Sequence, residues 1–129
     1  MNLNPWLALE HEAVWLYPVI GARFNKVAKV ARSSYNSHIA TRDGLLARLR
    51  RDDVPPVITP LAYDVGPLRT AADAREVARR LERHIAAACL GLVGEVEGQD
   101  RAFVTAALRR TALAELSWGG HPSAFPGMS

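Results

Sequence analysis

Between Asp52 and Thr70 the chain loses every helical period and carries Pro55, Pro56, Pro60 and Pro67 with Gly66, so a stiff, extended connection divides it into two halves. Three of those prolines fall between Val54 and Val65 and argue against a sheet strand there, despite the β-branched residues. On either side, apolar residues recur at helical spacing, which predicts helices over 5–32, 34–51, 71–97 and 100–118. The links within each half are short, so each pair of helices must return on itself as an antiparallel hairpin. The long link reaches about 55 Å when extended, enough to travel the length of helices about 30 to 40 Å long. The expected architecture is all-α: two antiparallel helical hairpins joined by a long crossover, with residues 52–70 running along the outside of a four-helix bundle.

Local signals mark the ends. Asn4-Pro5 reads as a helix start, with Asn4 as the cap, and Ser33 or Ser34 caps the second helix. Thr70 and Asp73 resemble a capping box with Asp in place of the usual Glu. Gly98 ends the third helix and Asp100 caps the fourth. Pro18 lies inside the first helix, where it predicts a kink or bulge between Val14 and Ala22 but not a break.

The first helix carries a stripe of Leu7, Glu10, Val14, Tyr17, Gly21, Phe24 and Ala28, apolar or small everywhere except at Glu10. An ionised carboxylate on a buried face needs a partner, since burying it alone costs several kcal/mol or forces it to take up a proton. The second helix offers Arg42 or His38.

At 129 residues, with 49% hydrophobic and 22% charged side chains, the sequence is that of one globular domain spanning 1–129, with 119–129 a non-helical tail whose Phe125 packs back on the helices. The formal charge of +3 comes from arginines such as Arg48, Arg50, Arg75, Arg79 and Arg83, interspersed with acids. That pattern reads as solvated helix faces, not as a nucleic-acid patch. The single cysteine, Cys89, sits on an apolar stripe and cannot form an intrachain disulfide. The N-terminus lacks the pattern of a signal peptide and no stretch reads as a membrane span, so a cytoplasmic location is expected.

Several short motifs, taken together, carry a resemblance. They are Glu10-His11, Val14, Tyr17, Val19 to Arg23, His38 to Asp43, Leu81-Glu82, Trp118 and Ala124-Phe125-Pro126-Gly127. In order and spacing, over nearly the whole chain, they resemble an actinobacterial ferritin-like family of unknown function. Pro18 and Glu12 depart from its pattern. The resemblance implies a ferritin-like four-helix bundle, a fold that in its di-metal members uses a Glu from each of two helices and a Glu-x-x-His from each of the other two. Measured against that set the chain is deficient. Its candidate ligands are Glu10, His38, Glu82 and Glu115; Tyr35 stands where a carboxylate belongs, and Trp118 where an imidazole belongs. Three carboxylates and one imidazole suffice for one ion at most, and His84 points away from Glu82.

The reading that follows is a core polar network of Glu10, His38 and Arg42 without a cofactor, in a non-catalytic binding or assembly module. A homodimer is expected, with Trp6, Trp15 and the Phe125 segment as contact residues. The competing reading is a metal-dependent oxidoreductase or metal-binding protein using iron, manganese or zinc.

Overall fold

The computed structural model describes residues 1–120; the expected packing of Phe125 and the Ala124 to Gly127 motif lie outside the described residues. Four α-helices, α1 (Asn4–Arg23), α2 (Ala28–Arg51), α3 (Ala71–Val93) and α4 (Gly98–Ser117), account for the regular structure apart from one 3-10 turn, and no strand occurs among the described residues. None of these helices is long and apolar enough to cross a membrane. Contacts divide the chain into two compact units, one spanning Asn2–Ala74 and the other running from Arg75 onward and including Met1.

In the first unit, α1 buries Leu7, Glu10, Ala13, Leu16, Tyr17 and Ile20, and α2 buries Ala31, Ser34, His38, Thr41, Leu45 and Leu49. The turn between them falls at Phe24–Val27, well before the Ser33-Ser34 pair expected to carry it. Phe24 leaves the helix with an extended backbone (φ −127°, ψ 94°), Asn25–Val27 forms the 3-10 turn, and α2 starts at Ala28. The sequence pattern concealed this turn because Val27, Ala31 and Ser34 continue the apolar phase set by Ile20, so two helices read as one. Ser34 is therefore an interior position of α2. Pro18 sits on the exposed side of α1, which continues through it.

The expected cap Asn4 has another task. Asn2 Oδ1 accepts from the Asn4 backbone N–H (3.2 Å). The Asn4 side chain grips the connecting segment, donating through Nδ2 to the Pro55 carbonyl (3.0 Å) and accepting at Oδ1 from the Val57 N–H (2.8 Å). Farther along, the Tyr63 ring lies 5.4 Å from that of Trp15. The segment thus runs along α1 from its first turn to Trp15. Trp6 is buried and so is not the exposed contact residue it was expected to be, while Trp15 is half-covered.

α2 ends in a Schellman arrangement, with the Asp53 N–H on the Arg50 carbonyl (3.2 Å) and the Val54 N–H on that of Leu49 (2.9 Å). Asp53 occupies the left-handed position, φ 56°, where glycine carries no Cβ penalty. Asp53→Gly is expected to stabilise the protein by about 0.5 to 1 kcal/mol, read as a higher urea midpoint with unchanged slope.

α3 opens with the expected capping box. Thr70 Oγ1 accepts from the Asp73 N–H (3.0 Å), and Asp73 Oδ2 accepts from the N–H groups of Arg69 (2.9 Å) and Thr70 (3.3 Å). The Arg69 N–H, followed by that of Thr70, holds the Asp73 carboxyl below its usual range. A carboxyl lowered in the folded state lends stability above its unfolded pKa and loses it as pH falls through the folded one. Thr70→Ala should cost about 1 kcal/mol at neutral pH by urea denaturation.

In the second unit α3 buries Val77, Ala78, Leu81, Glu82, Ile85, Cys89 and Leu92, and α4 buries Val104, Ala107 and Thr111. α3 stops at Val93, before Gly94, so Gly98 does not end it; with φ 60°, Gly98 opens α4. Asp100 lies in the first turn of α4, where its charge complements the helix dipole, and Glu97 holds the cap position without a side-chain bond. α4 also ends in a Schellman motif: Gly119, at φ 93°, bonds the Leu116 carbonyl (2.9 Å) and Gly120 that of Glu115 (2.8 Å). Arg79 secures the motif by donating through Nη1 to the Trp118 carbonyl (2.7 Å), while its Nη2 donates to Glu76 (2.7 Å).

Candidate functional site

Glu10 is wholly buried, and both of its carboxylate oxygens are engaged. Trp6 lies four residues earlier on α1, hence on the same face, and its indole Nε1 donates to Oε2 (2.9 Å). His38, from α2, places Nδ1 2.5 Å from Oε1, so one proton is held between imidazole and carboxylate. Tyr17 stacks on the His38 ring, with centroids 5.6 Å apart and planes inclined by only 11°. Local sequence explains the cluster. Glu10 and Tyr17 are two turns apart on the buried stripe of α1, and His38 lies on the buried stripe of α2 with Ser34 and Thr41 one turn to either side.

Arg42, expected in this network, does not join it. Its guanidinium pairs with Asp43 (3.0 Å) on the outer side of α2. The position one turn beyond His38 on the buried stripe is taken by Thr41, so Arg42 is turned toward the edge. Arg42 does bear on His11, whose pKa is held below the usual imidazole range, first by burial and then by that guanidinium, with Glu10 opposing both.

The other candidate ligands belong to the second unit. Glu82 is fully buried on α3, and Glu115 on α4 faces Arg83 at 3.6 Å. Trp118, where a ligand imidazole would stand, is a buried helix-terminal residue fixed through its carbonyl. Among the described residues, no group of three or more His, Cys, Asp or Glu side chains is positioned to hold a metal ion. The geometry of the first unit gives a reason. Two ligands of one ion, each about 2.0 to 2.2 Å from it, stand roughly 3 Å or more from each other. The 2.5 Å between His38 Nδ1 and Glu10 Oε1 leaves no room for an ion between them. Glu10 and His38 are thus held to each other as a hydrogen-bonded pair and do not fit as two ligands of one ion in this arrangement.

Trp6 and Tyr17 are the members of the cluster that the sequence pattern did not assign. The i, i+4 spacing of Trp6 and Glu10 is the signal that finds the first; nothing short of the helix pairing finds the stack on His38.

The model of a family described as "Domain of unknown function (DUF4439)" matches residues 3–129. Among solved structures, the chain is similar to a conserved hypothetical protein, rv2844, from Mycobacterium tuberculosis, with 28% identity, coverage of 90% of each chain and a TM-score of 0.84. No curated protein matches it.

Proposed function

The chain belongs to this family of domains of unknown function, and from that premise we propose that it is a non-catalytic, ferritin-like helical module for binding or assembly, whose Glu10–His38 pair is a structural remnant of a di-metal core. The observation that carries the reading is the full engagement of Glu10: an indole N–H, which can only donate, occupies one oxygen, and the imidazole occupies the other. Tyr35 and Trp118 at two ligand positions support it from the sequence side.

The architectural part of the proposal is two antiparallel hairpins joined by the crossover, as one domain. It is supported in the first unit by pairings of late α1 with early α2, as at Gly21 and Ala31, and of early α1 with the chain just past α2, as at Asn4 and Pro55. In the second unit the start of α3 meets the end of α4 through Arg79 and Trp118. The family match over 3–129 supports a single domain.

Elemental analysis of protein purified without chelator tests the reading. The expected result is no stoichiometric iron, manganese or zinc. One equivalent or more of any of them, lost on Glu10→Gln, would replace this reading with a metal-dependent one.

A further inference from the structure

The end of the first unit where α1 gives way to α2 is electrostatically one-sided. No acidic residue occurs between Glu12 and Asp43, while Arg23, Lys26, Lys29 and Arg32 gather about the turn. Elsewhere arginines find carboxylates, as Arg42 does in Asp43, Arg51 in Asp52 and Arg79 in Glu76. Among the described residues these four cations make no ion pair. The first turn of α2 has neither a side-chain cap nor an acidic residue, so the positive end of its dipole adds to the same field.

Into this end opens a groove of about 440 Å³, walled by Tyr17, Pro18, Ala28, Ala31 and Tyr35, with Arg32 completing it. The lining is mostly apolar, and the residues in it that carry polar side-chain groups are Arg32, Tyr35 and the almost wholly buried Tyr17. A volume of this size lies within the roughly 300 to 1,000 Å³ typical of small-molecule sites, where apolar walls carry a few polar groups that fix orientation.

We propose that this groove binds a small amphipathic carboxylate: one anionic head on a flat or aliphatic apolar body, the head on Arg32 and the body against the Pro18, Ala28 and Tyr35 walls. The planar fork of a guanidinium matches a carboxylate through two parallel hydrogen bonds. The neighbouring lysines and the helix end raise the local concentration of anions. A neutral apolar compound would leave the guanidinium unused, and an inorganic anion would leave the aromatic walls unused. The inference gives the binding module a ligand class and rests on that reading. Its test reads ligand binding, whereas the reading itself is tested by metal content, so either can fail alone.

The experiment uses the full chain, titrated with octanoate and 4-phenylbutyrate and with the neutral amides of both, followed by amide chemical shifts. Saturable shifts centred on residues 17–35 are expected, with the carboxylates binding about tenfold more tightly than their amides, a difference of roughly 1.4 kcal/mol. Arg32→Ala should abolish that difference. Ala28→Leu, which fills the groove, should weaken acid and amide alike; should it not fold, Ala22→Leu at a more exposed position serves the same purpose. Arg101→Ala, on exposed α4 surface, should change nothing. Equal affinity for acid and amide, indifference to Arg32→Ala, or no saturable binding would overturn the proposal. So would binding to anionic phospholipid vesicles without binding of the monomeric acids, which would identify a membrane-facing surface instead.

Discussion

Replacing His38 by leucine is expected to lower the free energy of unfolding by about 3 to 5 kcal/mol, because it strands a buried carboxylate with a single remaining donor. Glu10 keeps the Trp6 N–H and loses the imidazole that shares its proton. Most of the penalty comes from the orphaned charge, so Glu10→Gln combined with His38→Leu should recover a large part of it. Arg42→Leu gives the contrast. The ion pair it removes is partly solvent-exposed and joins sequence neighbours, so a loss within about 1 kcal/mol is expected. Urea midpoints of these three variants and of the unaltered protein at neutral pH decide the matter. A silent His38→Leu beside a costly Arg42→Leu would transfer the role of partner to the guanidinium.

Gly119→Val should be the next most damaging change, at about 2 to 4 kcal/mol. A β-branched residue is strained at φ 93°, and a Cβ there would stand 3.1 Å from Arg79 Nη1, the atom that holds the Trp118 carbonyl. Strain and the loss of a charge-assisted hydrogen bond add at one point. Arg79→Met with Gly119 retained isolates the second contribution. If Gly119→Val unfolds at the same urea concentration as the unaltered protein, the left-handed helix end is not the conformation in solution.

Four helices, the long proline-rich connection and the capping box at Thr70 were legible in the sequence because each rests on local chemistry: period, ring geometry and side-chain to backbone reach. The α1–α2 turn was not. A turn of about one helical period preserves apolar phase, and neither glycine nor proline marks it between Phe24 and Val27. Glu10 was legible as a buried polar residue because its neighbours on the stripe are apolar or small, whereas His38 was legible only as one of two partners the second helix offers it. The choice of His38 over Arg42 required the rotational setting of α2, a matter of tens of degrees that spacing alone does not resolve. Trp6 was misplaced for a related reason: the buried face of α1 is wider than one stripe, taking in both Trp6 and Leu7. With Trp6 inside, of the two tryptophans only Trp15 keeps part of its surface open to a contact.

The grip of Asn4 on Pro55 and Val57, with the tilted ring contact of Tyr63 on Trp15, divides the crossover into fastened and open lengths. The open length is Ile58 to Ala62, where Ile58 is 89% and Leu61 103% exposed. Such a stretch is where a protease gains purchase, since backbone there can enter a cleaving cleft without disturbing a helix. A scission at this place would break covalent continuity yet leave each fresh end held against α1 by its own fastening. Integrity of the covalent chain and integrity of the fold are thereby separated at one peptide bond, which makes this short length the natural place to cut, insert or rejoin the polypeptide.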